Sequence, residues 1–102
     1  MSFVVDASAA VAAIIDGGPD GVWARMHMRS SLLLAPELMP VEATAVLRRS
    51  VQEGAVTSDA AALALDDLMA LPFRLFSFAP FVKRVWALRE NVTAYDAWYV
   101  AL

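Results

Sequence analysis

The chain has no cysteine and a single histidine, His27, in 102 residues. Disulfides and thiolate metal sites are excluded, and the composition is compatible with a reducing cytosol. Basic residues are few, eight against eleven acids, for a net charge of -3. This excludes a nucleic-acid binder whose affinity rests on many Lys and Arg contacts to phosphate, so any nucleic-acid role must be local. Glycine is scarce as well. Its one cluster, Gly17-Gly18-Pro19-Asp20-Gly21, follows a helical stretch rather than a strand and contains proline, which argues against a dinucleotide or phosphate loop. No apolar run approaches the roughly 20 residues of a membrane helix. The apolar opening Phe3 to Ile15 lacks a basic flank and carries Asp6, so it reads as a strand and a helix rather than a signal peptide. A soluble, cytoplasmic protein is expected.

What is abundant is apolar surface: 60% of residues are hydrophobic and the mean hydropathy is +0.57. One small domain with a single core is expected, with apolar surface left over to meet a partner, a homodimer being the simplest case. Phe3 to Val5 reads as a strand covered on both faces, followed by an Ala-rich helix over 7–15 that Asp16-Gly17-Gly18-Pro19 stops. The spacing then predicts a helix over 22–29, with Ser30 and Ser31 before a buried strand over 32–35. A helix over 39–53 closes at Gly54, and another over 59–70 has Ser58 as its N-cap. A third strand over 72–76, a helix over 81–90 opened by Pro80 and ended by Asn91, and a last helix from the Thr93 cap to Leu102 complete the chain. Strands alternating with helices predict right-handed βαβ units and a parallel sheet, whose ligands gather at the strand C-terminal edge.

Three acids stand out against this pattern. Asp6, Glu42 and Asp96 each interrupt an apolar stretch at a predicted helix start, with no Lys or Arg within four residues. Charge in an apolar surround is costly unless paired, and a divalent cation, which takes hard oxygen ligands, is one such partner. Each acid also has a local reading: Asp6 as a helix cap, Glu42 as a complement to the helix dipole, and Asp96 as the fourth residue of a capping box begun by Thr93. The joint occurrence favours a shared site.

Other residues carry less. Ser8, two residues past Asp6, either donates to a phosphate or helps cap the helix. His27 reads as a helix-surface residue. Asn91-Val92-Thr93 fits the glycosylation pattern but reads better as a helix stop and a cap. The pairs Arg25 with Arg29, Arg48 with Arg49 and Lys83 with Arg84 read as solvated helix faces, any of which can touch phosphate. Trp23, Trp86 and Trp98 read as core or partner interface.

Phe-Val-Val-Asp-Ala-Ser-Ala at 3–9, Ala-Pro-Glu-Leu-Met-Pro-Val-Glu at 35–42 with Leu47-Arg48-Arg49 after it, and the block from Leu88 to Leu102 together resemble the PIN-domain ribonucleases, above all the VapC-type toxins of bacterial toxin-antitoxin pairs. The resemblance spans the whole chain. It implies a three-layer α/β/α PIN-like fold with a short parallel sheet, residues 1–102 forming a single PIN domain. Family members usually continue into a further strand, an acidic residue and a last helix. The resemblance therefore implies a domain incomplete at the C-terminus, with strand one left as an exposed apolar edge that invites pairing.

Carried over residue by residue, the resemblance makes Asp6, Glu42 and Asp96 the acids that bind Mg²⁺ or Mn²⁺, with RNA hydrolysed by metal assistance and activity held in check by a cognate antitoxin. Metal-assisted hydrolysis needs no protein nucleophile, which suits a chain with one His and no Cys. The leading expectation is a metal-dependent endoribonuclease toxin. The alternative is a catalytically incomplete PIN-like module that docks an antitoxin or self-associates. A phosphotransfer domain is a third reading, disfavoured because Ala7 and Ser8 stand where a second acid beside Asp6 is needed.

Overall fold

The computed structural model describes residues 2–29 and 31–102; Met1 and Ser30 lie outside them. Within these residues the order is β1 (Ser2–Val4), α1 (Ala7–Ile15), α2 (Pro19–Arg29), β2 (Leu32–Pro36), α3 (Met39–Gln52), α4 (Ser58–Ala70), β3 (Phe73–Phe76), a 3-10 turn (Ala79–Phe81), α5 (Val82–Ala87) and α6 (Ala94–Ala101). The three strands pair in parallel in the order β1-β2-β3. Parallel neighbours need helical crossovers, which α1–α2 and α3–α4 supply. The fold is thus the expected α/β arrangement.

Register assigns the faces. Phe3, Leu33 and Phe73 lie opposite one another across the sheet. Leu33 is buried, and Phe3 and Phe73 pack partly buried against a core completed by Ala10 and Val11 of α1, Met39, Ala43 and Leu47 of α3, and Ala61, Ala64 and Leu68 of α4. Alanine recurs on the inner face of α1 because this helix touches α2, α3 and α4 at once, and only small side chains allow that approach. The row Val4, Leu34 and Arg74 faces the other way, where α6 packs against β2 and α5 against α6.

β1 is not covered on both faces as its composition suggested. It is one of the two edge strands of the sheet, and Val4 is 42% exposed. The continuous apolar run encodes the strand, but neighbours decide its cover.

Caps define the remaining boundaries. Thr57, not Ser58, caps α4: its Oγ1 accepts the Ala60 amide at 3.1 Å, so the helix starts one residue earlier than predicted. α2 likewise starts at Pro19, whose fixed φ and missing N–H suit a first turn. α3 ends at Gln52, one residue before the predicted end, with Glu53 as its C-cap; Gly54 then turns the chain away as read, with φ +75°, its amide donating to the Val51 carbonyl and the Ala55 amide to the Ser50 carbonyl. α5 is shorter than the expected 81–90. It stops at Ala87, beyond which the chain forms turns, with the Leu88 amide shared between the Arg84 and Val85 carbonyls and the Arg89 guanidinium donating to the Trp86 carbonyl at 3.0 Å.

None of the three tryptophans belongs to the core. Trp23 is 61% and Trp86 66% exposed, the former stacked on His27 and the latter beneath the Arg89 guanidinium, while Trp98 is half-buried edge-on to Phe78. His27 sits on the α2 surface as expected, its Nδ1 2.8 Å from the Trp23 carbonyl oxygen.

Candidate active site

Asp6, Glu42 and Asp96 line one cleft of about 740 Å³ at the strand C-terminal edge. Three helix starts build it. Asp6 follows β1 and caps α1, its Oδ1 accepting the Ala9 amide at 2.8 Å. Glu42 stands in the first turn of α3 behind Pro40. Asp96 stands in the first turn of α6, whose cap Thr93 accepts the Asp96 amide at 3.2 Å. The local readings of Asp6 as a cap and Glu42 as a first-turn acid therefore hold, whereas for Asp96 the Thr93 half of the capping box forms; a side chain that caps or begins a helix at this edge also lines the cleft.

The expectation of charge in an apolar surround is overturned. Asp6 and Asp96 are exposed and Glu42 is half-buried, and no charged residue is fully buried among the described residues. The reason is positional. First-turn side chains at the sheet edge line the cleft and stay hydrated; of their apolar neighbours Val5, Ala7, Ala43 and Ala97 turn inward, whereas Val41 and Tyr95 remain exposed beside the acids.

Helical periodicity extends the site. On α3, Glu42, Ala45, Val46 and Arg49 line the cleft at steps of three and four, and on α6 Asp96 is followed at the same spacing by Tyr99 and Val100. Arg49 is the only basic side chain lining the cleft among the described residues, whereas Arg48 points elsewhere on α3. Ser8 lines the cleft too, and the cap it was weighed for belongs to Asp6.

Tyr99 was not singled out from the sequence. Its Oη donates to Glu42 Oε1 at 2.7 Å. Burial above all, then this hydrogen bond and the negative charge of Glu42, with Asp6 adding to it, push the phenol well above its ordinary value, against a smaller opposing pull from the Ala7 amide. The hydroxyl is thus a stable proton donor. The i+3 step from Asp96 was the available signal.

The donors are hard carboxylate oxygens, the kind that Mg²⁺ and Mn²⁺ take. Among the described residues no three His, Cys, Asp or Glu side chains stand close enough to form a ready-made metal cage. A cage is not required in kind: Mg²⁺ keeps several waters and is held through one or two carboxylates together with substrate phosphate. The residues present fit such an ion.

No family model matches the chain. Among curated proteins it is similar to Ribonuclease VapC1 of Mycobacterium tuberculosis, 38% identical over 100 residues that cover 97% of this chain and 75% of the relative. It is also similar to VapC ribonuclease Mb0985 of Mycobacterium bovis and Ribonuclease VapC9 of Mycobacterium tuberculosis, each 35% identical over 99 residues with the same coverage. With an α/β fold, a cleft lined by acids at the sheet edge and this similarity over nearly its whole length, the chain belongs to the VapC family of PIN-domain ribonuclease toxins.

Proposed function

We propose that residues 1–102 form a single PIN domain that works as an endoribonuclease toxin of a toxin-antitoxin pair, with Asp6, Glu42 and Asp96 as its metal-binding and catalytic acids. The observation that carries this reading is that these three acids, from three separate helix starts, line one cleft. The names of the relatives support the ribonuclease activity.

The chain's own groups divide the work. The Asp6 carboxylate is oriented by the Ala9 amide on Oδ1 and is set without reorganisation, while Asp96 is placed at the cleft by the first turn of α6, its backbone amide held by Thr93. Glu42, tied through Oε1 to Tyr99, completes the acid set. Arg49 offers the RNA phosphate its one local positive charge, and Ser8 a hydroxyl donor. An Mg²⁺ or Mn²⁺ ion, when bound, supplies Lewis-acid activation of phosphate and water. The local placement of Arg49 reconciles RNA binding with a net charge of -3.

A cognate antitoxin, a homodimer and a cytoplasmic location are parts of the same proposal. Among the described residues no helix is long and apolar enough to cross a membrane. Large exposed side chains, Trp23, Met26, Trp86 and Tyr95 among them, offer apolar surface to a partner.

The test is an RNA cleavage assay with and without chelator. Cleavage that stops in EDTA and returns with Mg²⁺ or Mn²⁺ is expected. Cleavage that persists in chelator removes the metal from the reading; none under any condition favours the catalytically incomplete binding module.

A further inference from the structure

We propose that Tyr99 is a positioning residue for the acid cleft, holding Glu42 by Oε1 so that its second carboxylate oxygen is presented to the cation and substrate. The proposal rests on the function proposed above and assigns a role to a residue outside the acid set.

Four observations carry it. The Tyr99–Glu42 bond is 2.7 Å, short as befits a hydroxyl donating to a carboxylate, and it is the only bond between two side chains among the described residues. It joins helices that belong to different packing groups, since α3 packs on α1 and α4 while α6 packs on α5 and β2. Tyr99 is itself anchored. Its ring packs against the central core, and Ala97, two residues before it, is fully buried. Glu42, by contrast, has a long flexible side chain in a first helical turn, and nothing else among the described residues bonds its carboxylate.

The consequence is mechanical. α6 carries both Asp96 and, one turn later, the hydroxyl that sets Glu42. One helix thereby fixes two acids relative to each other, and Glu42 need not lose rotamer freedom at the moment the cation binds. A group that orients a ligand from behind commonly governs affinity for the ion as much as the ligand does.

The experiment is a double-variant cycle, reading Mn²⁺ binding by calorimetry and RNA cleavage in parallel on the parent chain, Tyr99→Phe, Glu42→Gln and the double variant. Phe keeps the ring and its packing, so the melting temperature is expected to change little. Mn²⁺ affinity should fall about 10- to 100-fold in Tyr99→Phe, and by less than about 2-fold when the same change is made on Glu42→Gln. Equal losses in both backgrounds mean that the hydroxyl does not act through Glu42, which overturns the proposal. So does a Tyr99→Phe chain that binds Mn²⁺ and cleaves as the parent does, or one that fails to fold, which makes the hydroxyl purely structural. A parent chain that neither binds Mn²⁺ nor cleaves RNA overturns the proposed function itself, and this inference with it; a parent that does both leaves only the Tyr99 role in question.

Discussion

Tyr99 donates its hydroxyl to Glu42 across 57 residues of sequence, tying the last helix to the first turn of α3 at the mouth of the acid cleft. The bond joins two helices that line the cleft, and it has a consequence for stability.

Because burial and Glu42 hold the Tyr99 phenol above its ordinary value, the folded chain keeps a proton there that the unfolded chain releases from about pH 10 upward. The stabilisation is fully present below that pH and is lost as pH rises further. Melting temperatures from pH 8 to 11 should therefore fall more steeply for the parent than for Tyr99→Phe. Parallel curves would show that the hydroxyl contributes nothing at alkaline pH.

Asp96→Asn should abolish cleavage and spare the fold. The Thr93 cap bonds the backbone amide of residue 96, which Asn retains. Loss of the charge is expected to cost about 100-fold or more in rate, about 3 kcal/mol, with stability within about 0.5 kcal/mol. A variant as active as the parent would leave Asp96 as a helix-start residue only.

Arg49→Ala should weaken RNA binding while Arg48→Ala does not, since only Arg49 lines the cleft. One lost phosphate contact lowers the slope of log affinity against log salt by about 0.7 for single strands. Titrations of a non-cleavable RNA between low and moderate salt measure this; equal effects at the two positions would count against the assignment.

Gly21→Ala should destabilise the chain far from the cleft. A Cβ at Gly21 would sit 1.9 Å from the Asp16 carbonyl oxygen, which also accepts from Arg25 at 2.8 Å, so the α1–α2 turn must open. About 1 to 3 kcal/mol is expected in urea unfolding. Within the glycine cluster this close approach explains Gly21, while a Cβ at Gly17 would stand in open space.

Exposed apolar side chains should drive association. With Trp23, Met26, Trp86 and Tyr95 each more than half exposed and β1 at the sheet edge, the mass seen by light scattering should rise with concentration. A constant monomer mass over a dilution series would refute the homodimer.

Local chemistry made much of the architecture legible in the chain itself. The apolar runs at Phe3, Leu32 and Phe73, the Ala-rich α1, the glycine stop at Gly54 and the Thr93 cap act over four or five residues, and they set element type and order. The same locality made Asp6, Glu42 and Asp96 visible as acids at helix starts, and the parallel topology that follows from alternating elements puts such starts on one edge. Tertiary structure alone decided the rest. That Tyr99 meets Glu42, that Arg49 and not Arg48 enters the cleft, that the acids are hydrated and the tryptophans left outside the core all depend on how helices distant in sequence dock. Docking is settled by the shape and burial of whole helix faces, a sum over many long-range contacts that no short window of residues contains.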